Sequence, residues 1–137
     1  RNVLRGLHCS PYAKIVVCQA GEMFDVVVDL RPQSPTYLQW DSVVLSPEQR
    51  SRIYVPPGVA HGYLALQDNT MTLYLKLGRY EKVREIEVNA LDEALSIAWP
   101  PPLDGAADYI ISGKDRSLPS VSEALRSHSS ESPTSRL

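Results

Sequence analysis

The chain holds three histidines, and two of them stand in short strings typical of functional sites. His8 follows Arg5-Gly6-Leu7, and His61 ends the string Pro56-Pro57-Gly58-Val59-Ala60. An imidazole can hold a metal ion or move a proton near neutral pH. The third histidine, His128, lies in a polar, Ser-rich C-terminal stretch, and we expect it to be inert.

A metal site needs more ligands than the neighbourhood of either histidine supplies. Three or four donor atoms must converge on one ion, yet His8 is followed by Cys9, Ser10 and Pro11, with no second histidine nearby. A triad of His8, His61 and one carboxylate remains an alternative. The pattern favours a metal-free site in which histidine does acid–base work.

Short strands must position these side chains. Apolar runs rich in β-branched residues recur between Pro and Gly, which predicts strands over 13–19, 22–30, 36–45, 52–55, 61–67 and 71–77. Ala20-Gly21 predicts a hairpin turn between the first two. The string ending at His61 resembles the P-x-G-x-x-H element of cupin barrels. Together these features predict an all-β protein, a double-stranded β-helix of the cupin or jelly-roll type, with Asp25 and Asp29 as interior polar residues.

Strand alternation assigns polar side chains to one face. Thr72, Tyr74 and Lys76 share a face, and the apolar residues of the same segment share the other. His61 and Tyr63 share a face of the preceding strand. A polar inner face predicts a lumen that holds a ligand, whereas a solvated outer face is the alternative.

Composition limits the domain organisation and the partners. With 137 residues, the chain fits one domain, predicted over 1–126 with a short helix at 119–126, before a disordered polar tail at 127–137. A net charge of −2 without a basic run argues against nucleic acid. No apolar run is long enough to span a bilayer. Two cysteines predict free thiols, so we expect a cytoplasmic protein.

Seven motifs, in order across residues 3–119, resemble the dTDP-4-dehydrorhamnose 3,5-epimerase family. They are Leu4-Arg5-Gly6-Leu7-His8, residues 24–31, Ser34-Pro35-Thr36-Tyr37, Ala60-His61-Gly62-Tyr63, residues 74–85, Ile97-Ala98-Trp99-Pro100 and Ser112-Gly113-Lys114-Asp115. The resemblance implies an isomerase that inverts C3 and C5 of a dTDP-4-keto-6-deoxyhexose in rhamnose-type deoxysugar biosynthesis. It also implies a homodimer and no cofactor, because the ketone itself acidifies the neighbouring protons.

The resemblance implies roles for individual residues. Inversion beside a ketone needs a base on one face of the sugar and an acid on the other. His8 is the implied base, paired with Asp115, and Tyr74, 13 residues after His61, is the implied acid. Lys14 resembles the lysine near the C4 ketone oxygen. Since the loop from His8 to Lys14 is shorter than the family pattern, a solvated lysine at a strand start is the alternative.

The implied substrate-binding residues surround these groups. Arg5 and Lys114 are implied near the diphosphate or the sugar, where Arg suits phosphate. His61 is implied to line the pocket, Tyr80 to stack on the thymine base, and Glu85 to make a polar contact. The family's N-terminal strand, which crosses to the dimer partner, has no counterpart here, so we expect that region to be missing.

Three alternatives stay open. The first is a sibling enzyme that inverts only C3 or only C5 in a modified-deoxysugar pathway. The second is a metal-dependent cupin oxygenase. The third is a non-catalytic remnant that binds sugar nucleotides. The sequence leaves the identity of the sugar open as well.

Overall fold

Nine strands and two short helices make up the part of the chain that the computed structural model describes, residues 1–78 and 85–130. The strands are β1 (Val3–Cys9), β2 (Ala13–Ala20), β3 (Met23–Asp29), β4 (Trp40–Leu45), β5 (Arg52–Val55), β6 (Val59–Ala65), β7 (Met71–Leu77), β8 (Ile86–Glu87) and β9 (Ile110–Ile111). The helices are α1 (Gly113–Arg116) and α2 (Val121–Ser130), and a 3₁₀ turn covers Glu93–Leu95.

The strands form two facing sheets, as the predicted double-stranded β-helix requires. One sheet has the order β4-β3-β6-β1-β8, with β9 parallel to β1, and the other has the order β5-β2-β7. The hairpin predicted at Ala20-Gly21 is wrong, because β2 and β3 lie in different sheets. Val16 and Met23, one on each side of the turn, both pack into the core between the sheets. Burial of these two side chains therefore decides which strands β2 and β3 pair with, and the turn connects one sheet to the other.

All six predicted strands are present, with β2, β3 and β6 shifted by one or two residues at their ends, whereas β1, β8 and β9 were not predicted. β5 and β7 match, but β4 begins at Trp40, four residues later than predicted. The preceding loop folds around Asp29, whose carboxylate accepts hydrogen bonds from Ser34 Oγ (2.5 Å) and Thr36 Oγ1 (2.7 Å). Hydrogen bonds from the Arg31 side chain, and to a smaller extent those from Ser34 and Thr36, hold the pKa of Asp29 well below its usual range. Asp29 thus closes a loop and does not line the lumen.

The C-terminal helix is longer than predicted. α2 continues to Ser130, so residues 127–130, His128 among them, belong to the helix and not to a disordered tail. Residues 131–137 lie outside the described part. With ten residues, α2 is the longest helix there, and no helix of that part is long and apolar enough to cross a membrane.

The core consists of two apolar clusters, and one part of the space between the sheets is lined by polar side chains instead. The outer face of the larger sheet packs against the segment from Val88 to Leu125, in which Trp99 meets Phe24 edge-on at 5.9 Å. A second cluster, with Val16, Met23, Leu45 and Val55 fully buried, fills part of the space between the sheets. Polar side chains line the rest of that space.

Candidate active site

A cavity of about 190 Å³ between the two sheets collects most of the predicted site residues. The described residues that line it are Arg5, Gly6, His8, Ser10, Lys14, His61, Gly62, Tyr63, Tyr74, Lys76 and Glu85. They come from both sheets, since β1 and β6 belong to one and β2 and β7 to the other. The polar strand face therefore turns inward at Tyr74 and Lys76, and the candidate base and acid share one cavity.

The candidate base His8 is held by a buried carboxylate. His8 Nε2 lies 3.1 Å from Asp115 Oδ1, and the Asp115 side chain is 1% exposed. The side chain of Ser112, the N-cap of α1, accepts a bond from the Asp115 backbone N–H and fixes the start of this short helix. When Nε2–H donates to Asp115, the lone pair of Nδ1 is left to take up a proton.

Asp115 is kept ionised against its burial. Desolvation alone would raise its pKa, but bonds from the Gly6 N–H and His8, with the charges of His8 and Arg5, bring the pKa below its usual range. Arg5 Nε donates to Asp115 Oδ2 at 3.1 Å. A carboxylate that stays charged at neutral pH can stabilise an imidazolium as it forms.

Lys14 is buried, and the alternative of a solvated lysine does not hold. The residue is 6% exposed, lines the cavity, and its Nζ donates to the His8 carbonyl oxygen at 3.2 Å. Burial lowers the pKa of this amine, although the charges of Glu85 and Cys9 oppose the change. The shorter loop thus still brings Lys14 to the cavity.

Tyr74, on β7 of the other sheet, lies beside a second imidazole–carboxylate pair. Its ring meets the His61 ring edge-on, with centroids 5.8 Å apart. Desolvation raises the pKa of the phenol strongly, and Tyr63 and Asp25 raise it further. The phenol is therefore neutral at physiological pH and carries a proton it can donate. His61 Nε2 is itself 2.8 Å from the buried Asp25 Oδ2.

The remaining predicted binding residues divide into two groups. Arg5 is half-exposed at the cavity, and Glu85 accepts bonds there from Ser10 Oγ (3.0 Å) and Tyr12 Oη (3.2 Å). Lys114 is absent from the lining that the described residues form; it is 65% exposed and ion-paired with Glu87 at 2.5 Å. Tyr80 lies outside the described residues.

Two carboxylates near the site were not assigned roles from the sequence. Asp25, interpreted only as an interior polar residue, holds His61, and period-two alternation could have placed both on the inner face. Glu87 pairs with His8 across β1 and β8, with Oε1 3.9 Å from His8 Nε2. β8 has only two residues, so no sequence pattern marks it.

The adjacent antiparallel strands β1 and β6, which carry the histidines, approach closely at two glycines. Gly6 has a φ of +112°, and a Cβ at this residue would lie 2.8 Å from the Gly62 Cα. A Cβ on Gly62 would lie 2.6 Å from the Arg5 carbonyl oxygen. The ladder between β1 and β6 shifts register here, between Arg5 and His8. Only glycine fits either position.

The donor set offers little to a metal. Within residues 1–78 and 85–130, no group of three or more His, Cys, Asp or Glu side chains is placed to hold an ion. His8 and His61 each face a separate carboxylate, Asp115 and Asp25. The triad of His8, His61 and one carboxylate therefore does not form in this structure.

Comparison with known proteins agrees with this geometry. The sequence model of the dTDP-4-dehydrorhamnose 3,5-epimerase family matches residues 1–123. The enzyme of that name from Mycobacterium tuberculosis is 46% identical over 130 residues, which cover 92% of this chain and 63% of the relative. The chain thus spans about 63% of that relative's length.

Two solved structures are similar across most of the chain. The dTDP-6-deoxy-D-glucose-3,5-epimerase of Legionella pneumophila, in complex with dTDP-4-keto-L-rhamnose, is 36% identical with a TM-score of 0.78, covering 89% of this chain and 64% of its own. A 3′-monoepimerase of Streptomyces bikiniensis, in complex with dTDP-quinovose, is 36% identical with a TM-score of 0.81, covering 93% and 65%. On its sequence, its cupin-type fold and its site, the chain belongs to the dTDP-4-dehydrorhamnose 3,5-epimerase family.

Proposed function

We propose that the protein inverts C3 and C5 of a dTDP-4-keto-6-deoxyhexose, as an isomerase of rhamnose-type deoxysugar biosynthesis. One observation carries the proposal: His8, which Asp115 holds from behind the lining, and the phenol of Tyr74 line the same cavity. The complex of the Legionella pneumophila relative with dTDP-4-keto-L-rhamnose supports the choice of substrate. We place the protein in the cytoplasm, where its buried thiols, Cys9 and Cys18, stay reduced.

The chemistry is a proton transfer on each face of the sugar. His8 removes the proton from C3, the C–H electron pair forms a C3–C4 double bond, and the C4 carbonyl becomes an enolate oxygen. Lys14 supplies positive charge near that oxygen. The enolate collapses and C3 takes a proton from the Tyr74 hydroxyl on the opposite face. The resulting imidazolium and tyrosinate return to their starting states by proton exchange with water, and C5 follows the same steps.

The substrate-binding roles follow from charge and position. Arg5 is half-exposed at the cavity and can meet the diphosphate, while its Nε holds Asp115. Glu85 and His61 line the cavity. The Glu85 carboxylate can accept hydrogen bonds from sugar hydroxyls, and the His61 imidazole can form a hydrogen bond with one. Tyr80 is proposed to stack on the thymine base, as the family resemblance implies. The reaction uses neither a metal nor a nucleotide cofactor, since the ketone supplies the acidity.

Solvent deuterium tests this function. Incubation of the protein with a dTDP-4-keto-6-deoxyhexose in D₂O is expected to place deuterium at C3 and at C5, because the incoming proton comes from a phenol that exchanges with water. Proton NMR of the sugar ring follows the loss of both signals. If neither position exchanges over hours with stoichiometric protein, the proposed function is wrong.

A single-centre epimerase is the second candidate. The Streptomyces bikiniensis relative, with a TM-score of 0.81, is named a 3′-monoepimerase, so the same fold supports inversion at one centre. His8, Asp115 and Tyr74 would serve either reaction. The same NMR experiment separates the two, since label at C3 alone, with one inverted centre, identifies the monoepimerase.

We also propose that the protein forms a homodimer through the outer face of the β5-β2-β7 sheet. Tyr54 is 61% exposed on this face, and Leu73, Leu75 and Leu77 are each about half exposed. Ile15 stands between Tyr54 and Leu75 in the ladders of β2. A continuous apolar sheet face is costly in water. A second copy can cover it, because a two-fold axis presents the same apolar surface from both sides.

Replacing Leu75 with Asp is expected to shift the protein from dimer to monomer, since a buried unpaired charge is strongly unfavourable at such an interface. Sedimentation velocity at micromolar concentration measures the change. Leu91→Asp is the matched control, because Leu91 is a similarly exposed leucine that does not belong to this sheet. A wild-type protein that sediments as a monomer, or a Leu75→Asp dimer, would contradict this assembly.

A further inference from the structure

A second phenol shares the cavity with the proposed acid. Tyr63 lies on β6 of the larger sheet and Tyr74 on β7 of the smaller one, and both line the cavity. A side-chain hydrogen bond joins the two phenols across the space between the sheets. The His61 ring lies beside both, with its centroid 6.4 Å from that of Tyr63 and 5.8 Å from that of Tyr74. The three rings therefore form one cluster at the proposed site of proton transfer.

The two phenols differ in how firmly the fold holds them. Tyr63 stands within the larger sheet, with Arg5 on one side and Asp25 on the other as ladder partners, and it packs against the apolar cluster between the sheets. Tyr74 is 38% exposed, and its strand lies at the edge of the smaller sheet. Tyr63 can therefore serve as a fixed anchor for the less constrained hydroxyl of Tyr74.

We propose that Tyr63 is a positioning residue that holds the Tyr74 hydroxyl toward the substrate and stabilises the charge left when Tyr74 gives up its proton. The inference rests on the proposed function, with Tyr74 as the acid. A hydroxyl group donates one hydrogen bond and can accept others. When Tyr63 donates to the Tyr74 oxygen, the proton of Tyr74 is left to point at the sugar carbon.

The same hydrogen bond becomes stronger during the proton transfer. The O–H bond of Tyr74 breaks as the new C3–H bond forms, and the negative charge stays on the phenolate oxygen. A hydrogen bond from a neutral hydroxyl to a charged oxygen is roughly twice as strong as one between neutral groups, so it favours the transition state over the ground state. The contribution matters here because desolvation, the largest cause, raises the pKa of Tyr74 and disfavours its phenolate.

The charged groups near Tyr74 do not replace this hydrogen bond. Asp25 raises the pKa of Tyr74 through its charge, and its Oδ2 is already 2.8 Å from His61 Nε2. Arg5 lowers that pKa through its charge, but its Nε donates to Asp115 at 3.1 Å. An ionised Tyr63 would raise the pKa of Tyr74 further. The pair therefore favours a single negative charge, with the second phenol neutral and able to donate.

Replacing Tyr63 with Phe tests the proposal, because the change removes the hydroxyl and keeps the packed ring. Inversion at C3 is expected to fall about ten- to a hundredfold, the range for a hydrogen bond to a charged group. Exchange of the C3 proton, which His8 begins, should keep its wild-type rate. Proton NMR in D₂O gives both rates in one sample. A structural defect would lower both rates together, and an unchanged ratio of inversion to exchange would overturn the proposal.

A double variant and a matched control complete the kinetic test. In a Tyr74→Phe background, Tyr63→Phe is expected to cause no further loss of inversion, because Tyr63 acts through Tyr74. Losses that multiply in the double variant would overturn the proposal. Tyr109→Phe removes another tyrosine hydroxyl, which donates to the Pro100 carbonyl oxygen at 2.7 Å. This control should leave the ratio of inversion to exchange at the wild-type value.

A measurement without substrate separates this inference from the proposed function. The NMR signal of the ring carbon bonded to the Tyr74 hydroxyl, assigned by its loss in Tyr74→Phe, reports hydrogen bonding of that phenol. Tyr63→Phe is expected to shift the signal and Tyr109→Phe to leave it in place. A signal that Tyr63→Phe does not move would overturn the inference. Wild-type protein that exchanges neither C3 nor C5 would instead reject the epimerase, and the signal would still show whether the two phenols interact.

Discussion

Replacing His8 with Asn is expected to lower kcat for epimerisation by about 10²–10⁴-fold, the usual contribution of a positioned general base. An amide cannot take up the C3 proton, but its N–H can still donate to Asp115, which lies 3.1 Å from His8 Nε2. KM should change little, because the diphosphate contacts remain. Steady-state kinetics with a coupled reductase gives kcat and KM, and NMR in D₂O gives the exchange rate at C3.

The control for this variant is His128→Asn, the same chemical change on an exposed position of α2. It should leave both rates at the wild-type value. A folded His8→Asn protein that still exchanges the C3 proton at the wild-type rate would show that another group is the base. The buried His61 would then be the first candidate, since it also lines the cavity.

Replacing Tyr74 with Phe is expected to stop inversion and to preserve exchange. The phenyl ring keeps the edge-on contact with His61, but it has no hydroxyl proton to give to the enolate. His8 can still remove the C3 proton and return one from the same face. Inversion should fall by about 10²–10⁴-fold, while deuterium enters C3 with its configuration retained. NMR coupling constants of the ring report both events in a single sample.

Two further tyrosine variants test whether Tyr74 is the acid. Tyr54→Phe alters an outward-facing tyrosine and should leave inversion and exchange intact. Tyr63→Phe alters a second tyrosine that lines the cavity. If it loses inversion while Tyr74→Phe keeps it, the acid is Tyr63. Loss of exchange and inversion together in a folded Tyr74→Phe protein would contradict the separation of base and acid.

Local pattern predicted the strands but not every pairing between them. β5 and β7 match their predicted bounds because alternation and Pro or Gly punctuation act within a few residues. The hairpin at Ala20-Gly21 failed since a small residue and a glycine make a turn without specifying the sheet that follows. That choice depends on burial of Val16 and Met23 against distant strands, which no local window contains.

The same distinction holds in the site. Alternation together with motifs indicated His61 and Tyr74, the family resemblance indicated His8 and Lys14, and all four line the cavity. Lys114 lies off the lining that the described residues form and pairs with Glu87, a partner in a two-residue strand without a sequence pattern, so its contact with the diphosphate stays a prediction. Pairings between charged side chains far apart in sequence depend on the folded geometry. The structure was therefore needed to identify the Lys114–Glu87 and Asp25–His61 pairs.

The near contact of Gly6 with Gly62 changes how mutational data on this protein should be interpreted. Neither residue brings a side chain to the substrate, yet an added methyl group at either would force apart the strands that carry His8 and His61. Such a variant can lose turnover without losing any reactive group. An inactive glycine variant is thus evidence about the spacing between the two imidazoles. A mutational scan that ranks residues by lost activity alone would wrongly identify these glycines as residues that take part in the chemistry.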